Sequence, residues 1–197
     1  MPDHLLLVIA DASVVINLNA TGCAAAILDA LLFRVAVTDV VATELGEDRR
    51  GGRNDAVLLN ELTAAGRIAT LPLDEAAAQL FGGLVAGTAA DTLDDGEAAS
   101  IAVAVTCGAI LTVDERKARR ICAQRFPGLR LLSAVELLLH DDVASRLGRD
   151  MQSNAVFRAL QTARMRVLPE HADRIVQLIG ADRARQCPSL PKAARLL

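Results

Sequence analysis

Acidic residues occur at four places in this 197-residue chain where an apolar run ends or a helical pattern begins. They are Asp11, Glu44, the group Asp94, Asp95 and Glu97, and Asp114. A residue just past the carboxyl end of a parallel strand lies at the sheet edge where ligands bind. Clustered carboxylates repel one another unless a divalent cation neutralises them, and oxygen ligands suit Mg²⁺ or Mn²⁺. The pattern therefore indicates a cation site that could bind a phosphodiester and activate a water.

Each acid also has an explanation that involves no chemistry. Asp11 and Asp114 could cap the helices that begin beside them. Asp94 and Glu97 fit the D-x-x-E capping box, in which both side chains bind free backbone N–H groups at a helix start. Glu44 could pair with an arginine of the loop that follows it. For any one acid alone these explanations are the better ones, whereas four acids together favour a shared site.

Strand and helix patterns alternate along the chain. Short apolar runs bounded by turn residues predict strands over 5–10, 34–37, 67–71, 109–113 and 130–132. Helical patterns separate them, over 13–19, 23–32, 38–46, 55–65, 74–85, 96–107, 114–124 and 133–140. Ser13 is the expected cap of the first helix. Strands separated by helices imply crossover connections, so we predict a three-layer α/β/α fold with a central parallel sheet.

The last quarter of the chain differs in charge from the rest. The whole chain has a net charge of −3, but residues 1–148 carry −8 and residues 149–197 carry +5. Apolar residues at helical spacing predict two further helices, over 151–166 and 170–180. We therefore expect an α/β domain over 1–140 and a basic, helical C-terminal extension over 141–197. The extension could meet an anionic partner, or it could be a helix pair with an arginine-rich solvent face.

Several classes of protein are disfavoured. No apolar run approaches the ~18 residues that span a bilayer, and the N-terminus lacks the features of a signal peptide, so we expect a cytoplasmic protein without a membrane. The four cysteines show no C-x-x-C spacing, and we expect them to bind no metal and form no disulfide. No glycine-rich phosphate-binding motif supports nucleotide use. The three histidines are scattered, which does not support a histidine base.

Four segments of the chain carry a resemblance to a known family. They are IADASVVINL, VVATELGED, LDDGEAASIAVA and AILTVDERKAR, in this order. They resemble the PIN domain family, and the resemblance implies a PIN-like fold and a Mg²⁺- or Mn²⁺-dependent ribonuclease. Matched motif by motif, the expected catalytic acids are Asp11, Glu44, Glu97 and Asp114. The third motif is a D-x-G-E-A variant, so Asp95 is an additional candidate metal ligand beside Asp11, Glu97 and Asp114.

The resemblance implies that metal-activated water hydrolyses RNA and that no protein nucleophile takes part. The chain has no Trp or Tyr and only four Phe, so an aromatic platform for stacking bases is not evident. Phosphate contacts would fall to two basic groups that lie close to the proposed ligands in sequence, unless they are solvated surface residues. The first group follows Glu44 and comprises Arg49, Arg50 and Arg53; the second lies on the helix opened by Asp114 and comprises Arg116, Lys117, Arg119 and Arg120. Ser13 could orient Asp11 or a bound water, unless it only caps the helix.

Three biological roles follow from the resemblance. The first is the toxin of a toxin–antitoxin pair resembling the VapC type, which cleaves cellular RNA and is held inactive by a small antitoxin. The second is an RNA-processing or decay nuclease without an antitoxin. The third is a metal-binding scaffold without activity, whose basic tail binds a partner protein or nucleic acid. The expected partners are RNA, a small antitoxin protein and, in a homodimer, a second copy of the chain.

Overall fold

The computed structural model describes residues 6–47, 54–89 and 91–195. These residues form two compact units. The first unit comprises the chain up to Val15 together with Leu32–Leu132, and the second comprises Ile16–Leu31 together with the chain from Ser133 onward. The domain boundary predicted after residue 140 stays a prediction.

The first unit is built on a parallel sheet of five strands. The strands are β1 (Leu7–Ala10), β2 (Arg34–Thr38), β3 (Ile68–Leu71), β4 (Ile110–Thr112) and β5 (Leu131–Leu132). All neighbours in the sheet are parallel, and the strand order is β3-β2-β1-β4-β5. Helices flank this sheet, so the predicted three-layer α/β/α fold is confirmed.

The central strand β1 shows why these segments form a buried sheet. Val8, Ile9 and Ala10 have no solvent exposure, because parallel strands covered on both faces consist of continuous apolar residues. The observed strands match the predicted ranges within about two residues at each end, which is the usual uncertainty of element boundaries. Residue 5 of the first predicted strand lies outside the described residues.

Five helices lie wholly in the first unit. They are α3 (Asp39–Glu47), α4 (Asp55–Ala64), α5 (Glu75–Val85), α6 (Asp95–Thr106) and α7 (Arg116–Arg125). Helix α6 is the most deeply buried of them and packs on β1, β2 and β4 as well as on α3 and α5. Its small side chains, Ala98, Ala99, Ala102 and Ala104, let its backbone lie close to the sheet. Helix α6 therefore holds the third acidic motif firmly against the carboxyl end of the sheet.

The second unit contains a further set of helices. Helix α1 (Ala12–Thr21) begins in the first unit and ends in the second. The others are α2 (Ala24–Ala30), α8 (Ala134–Leu138), α9 (Asp141–Leu147), α10 (Arg149–Thr162), α11 (Ala172–Ile179) and α12 (Ala181–Arg185), with 3-10 turns at Pro169–His171 and Ala193–Arg195. Helix α2 packs on α9, and α10 packs on α8, α9 and α11.

Helices α9 and α12 were not predicted from the sequence. Residues 141–150 had no predicted element, but they contain α9 and the start of α10. The imidazole of His140 accepts a hydrogen bond from the Asp142 N–H at 3.3 Å, and Val143 is buried on the inner face of α9. The helix starts with a histidine cap and has two aspartates in its first turn, and both features stabilise a helix start. Serine or threonine is the more common cap at this position.

No single helix in the described ranges is long and apolar enough to cross a membrane. The bent pair α1 and α2 has the required length and composition, as buried helices of soluble proteins and signal sequences also do. All four cysteines are free thiols. Burial raises the pKa of Cys122 to about 11, which disfavours its reactive thiolate form.

Candidate functional site

Two buried aspartates follow adjacent strands at the centre of the sheet. Asp11 follows β1 and Asp114 follows β4, and only 3% and 4% of their surfaces are exposed. The Asp11 N–H donates to the Thr112 carbonyl at 3.4 Å, which continues the β1–β4 pairing up to the acids. The chain leaves β1 toward β2 on one side and later returns to β4 on the other. This reversal of strand order creates a ligand-binding crevice at the carboxyl ends of the strands.

The carboxylate of Asp11 is held in place by two hydrogen bonds. Its Oδ1 accepts from the Val14 N–H and from the Ser13 hydroxyl, each at 2.9 Å. Helix α1 begins at Ala12, so Asp11 caps the helix. The prediction of Ser13 as the cap is wrong, because Ser13 lies inside the first turn and donates to Asp11 instead. The expectation that Ser13 orients Asp11 agrees with this contact.

Asp114 does not cap the helix that follows it. Helix α7 begins at Arg116, and Glu115 occupies the capping position without a side-chain cap bond. The predicted helix start at residue 114 is therefore too early by two residues. Asp114 lies buried just after the end of β4, where it interacts with neighbouring groups of the protein.

The third acidic motif opens helix α6 with three carboxylates in different environments. Asp94 caps the helix by accepting the Glu97 N–H at 2.8 Å, the forward bond of the predicted capping box. Asp95 is exposed, whereas Glu97 is partly buried. The structure thus separates the two candidates for the third ligand by their environment, although which of them binds a metal stays a prediction.

The pKa of Asp11 is raised to about 7. Burial is the largest cause, because it removes water from the charged carboxylate, and the negative charges of Asp114 and Asp94 add to it. The hydrogen bonds from Val14 and Ser13 oppose the shift, since they stabilise the charged form. Asp11, Asp114 and Asp94 therefore lie close enough to interact electrostatically.

The pKa of Glu97 is also raised to about 7. Burial again contributes most, followed by the charges of Asp94, Asp11 and Glu115, while the ammonium group of Lys117 lowers the pKa. The third acidic motif is thus coupled to the acid at the end of β1, as the sequence pattern predicts. Such mutual repulsion would be relieved by a bound divalent cation.

Glu44 reaches the site from helix α3, which packs on α6. Its carboxylate lies against Gly96, and a β-carbon at Gly96 would overlap Glu44 Oε2 and lie 3.6 Å from Val41 Cγ2. The glycine of the D-x-G-E-A motif therefore provides the space that Glu44 occupies beside the first turn of α6. Glu44 is itself exposed.

An open acidic cleft of about 720 Å³ lies beside these residues. Five carboxylates line it, those of Asp39, Glu44, Glu47, Asp94 and Asp95, and none of the described lining residues is basic. Sequence reasoning missed Asp39 and Glu47 as members of this cleft, whereas Asp94 was counted among the clustered acids but was not assigned a catalytic role. The position of Asp39 carried a usable signal, because it follows β2 as Asp11 follows β1.

Two buried hydroxyls near the acids have no hydrogen-bond partner within the described residues. Thr112 is the last residue of β4 and precedes Asp114 by two positions, and Ser100 lies one helical turn after Glu97. Buried polar atoms without partners often mark an ion or ordered water. These hydroxyls and the carboxylate donors fit a site for a hard cation and its bound water.

The carboxylates do not converge as a finished metal cage. Within residues 6–47, 54–89 and 91–195, no group of three or more His, Cys, Asp and Glu side chains is placed to hold a metal ion. The carboxylate oxygens and the raised pKa values of Asp11 and Glu97 fit a site for Mg²⁺ or Mn²⁺. The described side chains, however, are not arranged around a position where they would enclose such an ion. The assignment of Asp11, Glu97, Asp114 and Asp95 as metal ligands stays a prediction.

The basic residues of helix α7 have different roles. The Arg119 guanidinium donates to the carbonyls of Val113 and Leu132, at 3.0 and 3.2 Å, and so ties together the ends of β4 and β5. Lys117 Nζ donates to the Ala89 carbonyl at 2.7 Å. Arg116 is exposed in the first turn of the helix. Its exposure is compatible with the predicted binding of phosphate, which stays a prediction.

The phosphate ligands predicted in the loop after Glu44, namely Arg49, Arg50 and Arg53, lie outside the described residues. The loop predicted between Glu47 and Asn54 is likewise outside them, except at its two ends. Their contribution to substrate binding stays a prediction.

Comparison with known families supports the resemblance seen in the sequence. The family model DUF3368, described as a PIN domain, matches the chain over residues 7–181. The match includes all four acidic motifs and continues through helix α11 of the second unit. No curated protein matches the chain significantly.

Proposed function

The chain belongs to the PIN domain family, and from this premise we propose that it is a Mg²⁺- or Mn²⁺-dependent endoribonuclease. PIN domains are generally nucleases, which makes phosphodiester hydrolysis the expected reaction class. One observation carries the proposal: the buried carboxylates of Asp11 and Asp114 end adjacent strands, and Asp11 is electrostatically coupled to Asp114 and Glu97.

In the proposed mechanism, Asp11, Glu97 and Asp114 would hold the cation, and Asp95 is a further candidate ligand. The bound cation would stabilise negative charge on the phosphate and lower the pKa of a bound water. The Ser13 hydroxyl and the Val14 N–H keep the Asp11 carboxylate oriented toward the crevice edge. Glu44 acts from α3 as the fourth catalytic acid, beside the first turn of α6.

RNA is the proposed substrate because of the family, and the charge distribution is compatible with it. The acidic centre attracts cations, and Arg116 stands exposed just beyond Asp114, where it would bind a flanking phosphate. Arg49 and Arg50 are proposed to bind further phosphates of the substrate. All four phenylalanines are partly buried and interact within the fold, so backbone contacts are expected to outweigh base stacking.

The proposed biological role is that of a toxin silenced by a small antitoxin. An open cleft lined by five carboxylates is complementary in charge to lysine or arginine side chains of such an inhibitor. A basic segment of the inhibitor, bound in the cleft, would neutralise the negative charge of the carboxylates as a bound cation would. A homodimer and a cytoplasmic location are part of the same proposal.

Purified full-length protein incubated with total RNA tests the nuclease. We expect cleavage with Mg²⁺ or Mn²⁺, none with EDTA, and none from the Asp11→Asn variant in any buffer. Asn keeps an oxygen for the Val14 and Ser13 bonds, so the variant should fold. Cleavage that survives in Asp11→Asn at wild-type rate would overturn the assignment of the site.

Expression of the chain alone tests the toxin. Growth should stop with the wild type and continue with Asp11→Asn, and a small protein encoded beside the gene should co-purify with the wild type. Harmless expression of a protein that cleaves RNA in vitro would instead favour the processing nuclease.

A metal-binding scaffold without activity is the second candidate, and the net charge of +5 on residues 149–197, which could bind a partner, favours it. The two candidates differ in one combined measurement. A scaffold that binds metal would show a rise in Tm with Mg²⁺ or Mn²⁺ but no RNA cleavage, whereas the nuclease shows both.

A further inference from the structure

One face of helix α10 in the second unit presents hydrogen-bond donors to solvent. Asn154, Arg158 and Gln161 recur at helical spacing on this face and are all exposed. Arg164, also exposed, follows just beyond the end of the helix. These four residues are called the α10 ridge below. The opposite face of the helix is buried through Ala155, Val156, Ala159 and Leu160.

The ridge has the chemistry of a surface that binds anions. Its amides and guanidinium groups are strong donors, and the only acid of α10 is Asp150 in the first turn. Acidic residues are favourable there because of the helix dipole. Most other arginines of the second unit have structural partners: Arg149 and Arg174 donate to backbone carbonyls, and Arg183 lies over the Phe157 ring.

Arg158 is held in place without an acidic partner. Its guanidinium lies flat against Gly22, with Nη1, Cζ and Nη2 only 2.6 to 2.8 Å from the position that a β-carbon would take there. Within the described residues Arg158 has no hydrogen bond or ion pair. A guanidinium that is oriented by packing but keeps its donors unused is prepared to bind an anion.

Arg164 occupies a position that normally belongs to glycine. Its φ angle is +54°, and it is the only residue other than glycine with a positive φ in the described part of the chain. The Met165 N–H donates to the Ala159 carbonyl at 3.1 Å, which closes the end of the helix in a turn that contains Arg164. Glycine is the favoured residue in such a turn, so arginine here adds backbone strain. Within the described residues, its side chain has no partner that would explain its presence.

We propose that the α10 ridge is a second contact surface for the phosphodiester backbone of RNA. Arginine forks bind phosphate oxygens with two bonds, and Asn and Gln side chains bind phosphate or ribose oxygens. The ridge has no aromatic side chain, so it binds the backbone and does not read sequence. The proposal rests on RNA being the substrate of the chain, and it adds a contact with the RNA backbone that does not involve the acidic residues.

Binding of a fluorescein-labelled single-stranded RNA to the full-length protein in EDTA tests the ridge without cleavage. Arg158→Gln and Arg164→Gly should each weaken binding roughly three- to tenfold at low salt and reduce the slope of log K against log salt by about 1. Arg185→Gln is the matched control, because it removes the same charge from an exposed arginine that is paired with Asp182. It should change binding less than about twofold.

Arg164→Gly also separates binding from folding. Glycine relieves the strain of the turn, so Tm should rise by about 2–4 °C while the affinity for RNA falls. Wild-type affinity in both ridge variants would overturn the proposal. An equal loss in Arg185→Gln would overturn it as well, since the effect would then come from general charge. The proposal would also be overturned if the ridge were required for binding an acidic protein and not for binding RNA.

The same samples distinguish this proposal from the nuclease proposal. If RNA binding depends on the ridge but Asp11→Asn leaves cleavage unchanged or no cleavage occurs, the ridge stands and the proposed catalytic site fails. If cleavage requires Asp11 and a divalent cation but the ridge variants bind RNA normally, the ridge alone fails.

Discussion

The carboxylate of Glu44 lies directly against the backbone of Gly96, in a space that a methyl group would fill. The two residues belong to different helices, α3 and α6, so this contact fixes the distance between two of the acidic motifs. Gly96 is buried although it has no side chain to bury. Its role is to let Glu44 approach the first turn of α6.

Gly96→Ala should therefore displace Glu44 while keeping the fold. Alanine is a better helix former than glycine by up to about 1 kcal/mol, so the variant should lose little stability. RNA cleavage should fall by roughly tenfold or more, because catalytic groups act only when positioned closely. In a Glu44→Ala background the same substitution should cause no further loss. Losses that multiply in the double variant would show that Gly96 does not act through Glu44.

The stability of the chain should depend on pH through Asp11. Its pKa rises from 3.8 to about 7 on folding. Between these values the folded state binds more protons than the unfolded state, so the free energy of unfolding falls as pH rises through this window. Asp11→Asn removes the penalty. In urea unfolding with EDTA, the variant should be more stable than the wild type at pH 8 by about 1–3 kcal/mol and similar to it near pH 4.

The exposed Asp95→Asn provides the control for this measurement. It removes one acid from the same edge of the sheet without removing a buried charge, so it should change stability by less than about 0.5 kcal/mol at both pH values. If Asp95→Asn stabilised the chain as much as Asp11→Asn, general charge repulsion would explain the effect and burial of Asp11 would not.

Glu97 and Asp95 should differ in their importance for cleavage. Glu97 is partly buried and electrostatically coupled to Asp11, whereas Asp95 is exposed and lines the open cleft. Glu97→Gln should reduce cleavage at least 100-fold, and Asp95→Asn by about tenfold or less. A titration of the cleavage rate with Mg²⁺ should show a weaker apparent affinity for Glu97→Gln. Equal losses would mean that both carboxylates serve the cation.

Two arginines of α7 should give opposite results. Arg119→Met removes the bonds to the Val113 and Leu132 carbonyls, so the free energy of unfolding should fall by about 1–3 kcal/mol. Arg116→Met should leave stability within about 0.5 kcal/mol but weaken RNA binding in EDTA. Thermal unfolding and RNA binding on the same samples check both. A stable Arg119→Met would contradict its structural role, and unchanged binding in Arg116→Met would remove it from the substrate site.

Much of the fold could be predicted because local sequence and tertiary structure agree in the first unit. The five strands are short apolar runs between turn residues, and each acid that follows a strand is visible in the sequence. Helix α9 was missed because a histidine starts it and only Val143 marks its buried face. The start of α7 was placed too early because an aspartate that follows a strand looks the same in sequence whether it caps the next helix or only ends the strand.

The candidate acids were visible in the sequence, whereas their contacts were not. Asp11, Glu97 and Asp114 could be inferred because topology brings the carboxyl ends of parallel strands together. The contact between Glu44 and Gly96 depends on the packing of α3 on α6, which no local pattern encodes. The use of Arg119 as a bridge between two strand ends is equally invisible, since its neighbours Arg116 and Arg120 have the same residue type in the same helix.

The packing of α2 on α9 has a consequence for how the chain folds as it leaves the ribosome. Helix α2 emerges early and buries Ile27 and Leu28 within the second unit, but α9 is synthesised only after the whole sheet. Contacts between segments so far apart in sequence form late, and apolar surface that waits for its partner invites aggregation. A nascent chain that stops before residue 141 lacks α9, however complete its sheet. Premature termination or proteolysis there would leave the proposed catalytic acids in a chain whose helix α2 lacks its packing partner α9.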